Sequence, residues 1–243
     1  MAPKTNYQAG DQSMLRQINL SAIMNYIRIE APISRSKLAQ KTGLNKATIT
    51  SLVGELIQHQ FIQEVGLDTN GLGRPSMKLQ LNPKAGYILA AEIGVDFINV
   101  IGTNFSPSVV FQTIDETPKG IDADEVLKIL IMRIHQAKDA CQREVGEKFL
   151  GLAVGVPGLV DHDNGVLLFA PNLKWKNIPL KEILTSEFSA PIFVDNEANL
   201  ATFGEFYFGS AYQHPDILYL SAGVGLGGGI LHNTHLLRGV NGM

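Results

Sequence analysis

A lone glycine between two short amphipathic stretches constrains this chain most. Ser34 stands where it can cap a helix over Arg35–Thr42, with Leu38 and Ala39 turned inward. Gly43 follows, a residue for which a positive φ costs little. Asn45 then caps a further helix running to about Gln60, in which Ile49, Leu52, Val53, Leu56 and Ile57 form one apolar stripe. Two short helices joined by so tight a turn make a helix-turn-helix. Opposite the stripe lie Lys46, Ala47, Thr50, Ser51 and Gly54, all small or polar except for one cation. A slim face of this kind suits a DNA major groove, because bulky side chains would hold the helix off the base edges. Lys46, Thr48, Thr50 and Ser51 can donate to phosphates or bases. Ser34, Arg35, Asn45 and Ala47 complete the expected DNA-facing set on these two helices.

The flanking residues extend the motif. Leu15, Ile18, Ala22, Ile23, Tyr26 and Ile27 recur at helical spacing, predicting a helix over Met14–Glu30 that ends at Ala31-Pro32. Downstream, 61–65 and 77–81 read as two strands around a glycine-rich loop from Gly66 to Pro75. That is the wing of a winged helix, with Arg74 placed to enter a minor groove. The DNA-binding domain is therefore expected over 14–83, after a flexible segment at 1–13. Asn82-Pro83-Lys84 forms the boundary to a second domain over 84–243. Charge divides at the same place. Residues 1–83 hold nine Lys/Arg against five Asp/Glu, a net of +4; the remainder holds 11 against 18, a net of −7. A basic segment joined to an acidic body suggests two tasks, the first involving a polyanion.

In the body, apolar strands are expected at 87–94, 97–102, 109–114, 149–156, 192–194 and 217–221, with another at 229–231. Helices are expected at 122–146, in part of 178–188, and from Glu197 to Phe208. The alternation predicts an α/β domain with a mixed sheet. At 45% apolar and 18% charged, the chain has enough apolar residues to fill a core. No apolar run approaches the roughly 18 residues that span a bilayer, so no membrane role is expected. The amino-terminal residues lack a secretory apolar core, and the single cysteine, Cys141, excludes an internal disulfide. Both fit a reducing cytoplasm.

Taken in order, several stretches resemble the ROK family of sugar-responsive repressors and sugar kinases, in particular its xylose-repressor-like branch. They are SRSKLAQKTGLNKATITSLVGELI, the wing GLGRPSMKLQLNP, GVPGLVD at Gly155–Asp161, APNLKW at Ala170–Trp175, VDNEANLATFGE at Val194–Glu205 and SAGVGLGGGIL at Ser221–Leu231. The resemblance spans about residues 12–243. It implies a winged helix fused to an actin-like, ribonuclease-H-like sugar-kinase-type domain. The function implied is that of a repressor holding double-stranded operator DNA, as a homodimer or higher oligomer, and responding to a sugar such as xylose or a related monosaccharide. It places Gly158, Asn172, Asn196 and Glu197 at the sugar pocket. A carboxylate there can accept from two adjacent hydroxyls, and an amide both donates and accepts. In the family the chain continues past Met243 into a segment completing the sugar site, a cysteine-rich zinc motif and most of a second lobe. The sugar domain is therefore read as partial, with no metal or other cofactor in this chain.

The alternative within the family is an ATP-dependent sugar kinase with an accessory amino-terminal domain. The positions matching the kinase phosphate loop argue against it. Val95 replaces a glycine that admits phosphate, and Asp96 puts an anion where phosphates would lie. Glu197 stands at the catalytic aspartate position, one methylene longer, and about 1 Å of misplacement can cost a hundredfold in rate. No catalytic residue is therefore assigned. Gly223-x-Gly225-x-x-Gly228 matches a dinucleotide fingerprint, but a strand rather than a helix follows it, so it reads as a glycine-rich hairpin. Trp175 is read as core rather than as a sugar-stacking residue. His232 and His235 lack further ligands and are not read as a metal site.

Overall fold

The computed structural model describes residues 12–68, 76–117, 122–212 and 214–239, and the chain divides into two units, Met1–Ala85 and Gly86–Met243. The first unit begins with α1 (Gln12–Glu30), β1 (Ile33–Ser34) and α2 (Arg35–Thr42). It continues with α3 (Lys46–Gln58), β2 (Ile62–Asp68) and β3 (Ser76–Leu81). Helix α1 starts at Gln12, so the last two residues of the expected flexible segment are helical. Its apolar stripe is buried only at the carboxyl-terminal end, through Ile23 and Ile27; Leu15 and Ile18 are exposed. Ser34 and Asn45 cap α2 and α3 by accepting from Lys37 N and Thr48 N. Gly43 ends α2 at φ +71, a left-handed conformation that side chains resist. Ile49, Leu52, Val53 and Leu56 of α3 are buried, each worth about 1.5–3 kcal/mol where fully removed from water.

The sheet of this unit has the order β1-β3-β2 and is antiparallel. Strand β1 was not expected; two residues are too few to show alternation, and only pairing with Leu79 and Lys78 reveals it. Strand β2 runs past the expected loop start at Gly66. A bulge between Val65 and Leu67 lets Leu67 pair with Met77 and Asp68 with Ser76. The rest of that loop, including Arg74, lies outside the described residues.

The second unit opens with three antiparallel strands, β4 (Tyr87–Ile93), β5 (Phe97–Asn104) and β6 (Val109–Glu116). Helix α4 (Ala123–Glu144) follows, capped by Asp122, and leads to β7 (Phe149–Val156). A meander of β8 (Leu159–Asp161), β9 (Val166–Ala170) and β10 (Trp175–Ile178) precedes α5 (Leu180–Glu187) and β11 (Ile192–Asn196). Last come α6 (Glu197–Phe208), β12 (Ile217–Ala222), β13 (Leu226–His232) and β14 (His235–Leu236). The principal sheet has the order β11-β7-β4-β5-β6, parallel among its first three strands and antiparallel beyond, so it is mixed. Tyr87, Leu89, Ala91 and Ile93 alternate inward from β4 to meet Leu130, Ile134, Ala137 and Cys141 of α4 in one core.

The meander was not anticipated, nor was β14, because such short strands carry little periodicity. Trp175 at the start of β10 is 6% exposed and belongs to the core, so it cannot stack on a ligand. The glycine tract also differs from expectation. The hairpin turn is Gly223–Gly225, and Gly227 and Gly228 already lie within β13 ahead of the expected strand start at Gly229, paired with β12. There α6 packs closely on the strand: a Cβ at Gly229 would run into the Thr202 side chain.

Candidate functional site

The first unit presents one exposed polar ridge. Lys46, Ala47, Thr50, Ser51 and Gly54 are exposed along α3, while Thr48 is half-buried. Some of the expected donors are already engaged. Asn45 Oδ1 accepts from Thr48 N at 2.8 Å, and Thr50 Oγ1 donates to the Lys46 carbonyl at 2.8 Å. Arg35 pairs with Glu64 at 2.8 Å. Ser34 corrects the expectation: it is only 4% exposed, and its hydroxyl caps α2 and contacts Ser36 Oγ, so it serves the fold rather than a ligand. Some of the cations of this unit are paired within it. Glu30 holds Lys37 and Lys41, whose hydrogen bonds keep its carboxyl below the usual range, and Glu55 holds Arg16.

In the second unit, the four residues expected at a sugar pocket converge. Gly158, Asn172, Asn196 and Glu197 line one cavity of about 580 Å³, formed by the β4–β5 turn, the end of β7, the β9–β10 loop, the start of α6 and the glycine hairpin. Their duties differ. Asn196 is held on every side: its Oδ1 accepts from Ala198 N (2.9 Å) and Asn199 N (3.3 Å), capping α6. Its Nδ2 donates to the Gly158 carbonyl (3.0 Å) and to Glu197 Oε2 (2.7 Å). Asn196 thus positions the site. Gly158 has φ +107, and a Cβ there would run into the Phe169 carbonyl, so the position requires glycine for the backbone. Asn172 is exposed at the rim, facing Gly225. Glu197 is the acidic group of this set, aimed inward from the first turn of α6.

Two further residues join these four. Glu92 of β4 and Ser221 of β12 line this cavity and a second one of about 320 Å³ that shares Glu197 with it. Burial raises the Glu92 carboxyl above its ordinary range. Burial also raises Glu197; its own backbone N–H opposes this, and the neighbouring Glu92 adds to it. A pair of desolvated carboxylates is a strong acceptor set for a neutral polyhydroxyl ligand. Glu92 was legible in the sequence as part of Glu92-Ile93-Gly94, but only the folded strand brings it beside Glu197.

Behind the site, Asp195 is 7% exposed and takes a two-pronged grip from Arg238, with Nη1 3.0 Å from Oδ1. Burial raises its carboxyl, but hydrogen bonds from Arg238, Asn199 and the Asn196 N–H outweigh that and hold it below the usual range. His232 Nδ1 lies 2.7 Å from Asp216 Oδ1, and His235 Nδ1 lies 2.7 Å from the Asn233 carbonyl. Both histidines therefore secure the β13–β14 turn. Among the described residues no group of three His, Cys, Asp or Glu is placed to hold a metal. No helix among them is long and apolar enough to cross a membrane.

The chain is similar to proteins of known kind. The xylose repressor of Caldicellulosiruptor bescii is 38% identical over 234 residues, 96% of this chain and 58% of the repressor. A crystal structure of a ROK family transcriptional regulator, a homologue of the E. coli MLC protein, superposes with a TM-score of 0.74 at 26% identity. That match covers 94% of this chain and 57% of the regulator. The ROK glucokinase of Streptomyces griseus, in complex with glucose and AMPPNP, gives a TM-score of 0.55 at 29% identity over 65% of this chain and 48% of the kinase. The chain thus spans a little over half the length of the regulators it matches. The sequence model of the ROK family matches residues 89–243, more than half of the chain, and the chain belongs to the ROK family.

Proposed function

We propose that this chain carries the DNA-binding and sugar-sensing parts of a transcriptional repressor that responds to xylose or a related monosaccharide. In this reading the first unit is a winged helix-turn-helix and α3 enters the major groove of operator DNA. The observation that carries it is the ridge on α3, where Lys46, Ala47, Thr50, Ser51 and Gly54 stand exposed with no bulky apolar side chain among them. The xylose repressors among its relatives support the sugar class. We take the protein to act in the cytoplasm as a homodimer, two copies gripping two half-sites.

The sugar would sit in the cavity of the second unit, accepted by Glu197 and Glu92 and met by Asn172 at the rim. Sugar can release the operator only by binding the DNA-free state more tightly. By linkage, DNA must then weaken sugar binding by the same factor. The test is footprinting of the intact protein on its own promoter with and without D-xylose. Protection of two half-sites that weakens with sugar is expected. No protection at low salt under either condition would overturn the repressor reading.

The glucokinase likeness and the Glu197 carboxylate favour one other reading, an ATP-dependent sugar kinase. Against it, the β4–β5 turn at the cavity mouth is Gly94-Val95-Asp96. Val95 obstructs close backbone approach and Asp96 repels phosphate. A coupled ADP-release assay across monosaccharides is expected to show no turnover; turnover with any of them would restore the kinase.

A further inference from the structure

We propose that Arg16 of α1 is a DNA-phosphate contact flanking the α3 ridge, held ready by Glu55 and handed to the duplex on binding. The proposal rests on the DNA-binding reading above. Helices α1 and α3 border one open groove, with Gln12, Arg16 and Asn19 on one bank and Ala47, Thr48 and Ser51 on the other. Ala47 and Ser51 also belong to the exposed ridge, so a body lying on that ridge has α1 as its immediate neighbour. No residue from Gln12 to Ala22 is buried; Leu15 lines the groove between the polar residues of its bank, and Met14 and Ile18 are exposed as well, so this half of α1 stands open around Arg16.

The pairing of Arg16 supports a transfer. Its guanidinium meets Glu55 of α3, and the two side chains are 53% and 27% exposed. A pair this open contributes little to folding. The same planar fork that grips a carboxylate grips a phosphate, so a phosphate can take the place of Glu55 without Arg16 leaving its helix. Glu55 then plays an opposing part: it orients Arg16 in the free protein and repels the phosphate in the bound one.

That opposition makes the proposal testable. The probe is a fluorescein-labelled duplex selected by the wild-type intact protein from random-sequence DNA, titrated by anisotropy between about 50 and 200 mM salt. Arg16→Ala is expected to weaken binding severalfold and to make the slope of log K against log salt shallower by about 0.9, the share of one phosphate. Arg16→Lys is expected to retain the slope. Glu55→Gln is expected to bind as tightly as wild type or more tightly, with the slope unchanged. A purely structural ion pair predicts otherwise, with both partners weakening binding together in step with their melting temperatures. An unchanged slope in Arg16→Ala, or a loss in Glu55→Gln equal to that in Arg16→Ala, overturns the assignment while leaving the DNA-binding reading in place. Failure of the wild type to select any duplex removes that reading and this assignment with it.

Discussion

Arg238 reaches across 43 positions of chain to clasp Asp195, the residue immediately before the Asn196–Glu197 pair. The clasp ties the segment leaving β14 to the base of α6, and the carboxylate it holds also accepts from Asn199 and from the Asn196 N–H. Removing one side leaves a buried charge uncompensated. Arg238→Ala is expected to lower the unfolding free energy by about 3 kcal/mol at neutral pH, read by urea denaturation. The double variant Asp195→Asn with Arg238→Ala is expected to recover part of it. The pH dependence has a definite sign. A carboxyl held below its ordinary range stabilises the fold above that range, and the contribution is lost as pH falls through the lowered pKa. The gap between wild type and Arg238→Ala should therefore narrow on acidification; a gap that widens would remove Asp195 as its cause.

Glu197 works in the opposite sense. Its carboxyl is raised by burial and by Glu92, so its charged form costs folding stability, and stability falls as pH rises from the ordinary carboxylate range through the raised pKa. Glu197→Gln is expected to melt at a higher temperature than wild type at neutral pH, and to lose that advantage below the ordinary range. The same variant is expected to bind D-xylose more weakly by about 1.5–3 kcal/mol, the worth of a hydrogen bond to a charged group. Calorimetry for melting and for binding tests both. A variant equally stable and equally able to bind would show that Glu197 touches no ligand.

Gly54 lies within α3, yet a Cβ built there meets nothing within 4 Å. Glycine inside a helix costs about 0.5–1 kcal/mol relative to alanine, and nothing among the described residues requires it here. Gly54→Ala is expected to raise stability by about that amount while weakening duplex binding, because the added methyl stands between the helix and the base edges. Urea melts paired with anisotropy would show it. A gain in stability with unchanged affinity would mean that this turn of α3 faces no groove.

The contact between Asn196 and Gly158 gives a further expectation. Asn196→Ala removes the α6 cap, a loss of about 1 kcal/mol, and frees the Gly158 carbonyl. Gly158→Ala forces a side chain into the Phe169 carbonyl at φ +107 and is expected to be the more damaging of the two. Near-ultraviolet circular dichroism and urea melts would rank them; the reverse order would place the strain elsewhere.

Local chemistry was legible in the residues alone. The caps at Ser34 and Asn45, the turn at Gly43, the stripe of α3 and the apolar run of β4 all follow from period and side-chain type, because those signals lie within a few residues of their effect. Motif order was enough to nominate Gly158, Asn172, Asn196 and Glu197, which the fold gathers into one cavity. The rest depends on distant partners. Strand β1 exists only because Leu79 and Lys78 lie beside it. Ser34 is buried, and Gly227 and Gly228 are strand rather than turn because β12 pairs with them. The pairing of Glu92 with Glu197 and the grip of Arg238 on Asp195 join residues far apart in the chain, and such contacts leave no periodic trace in a sequence.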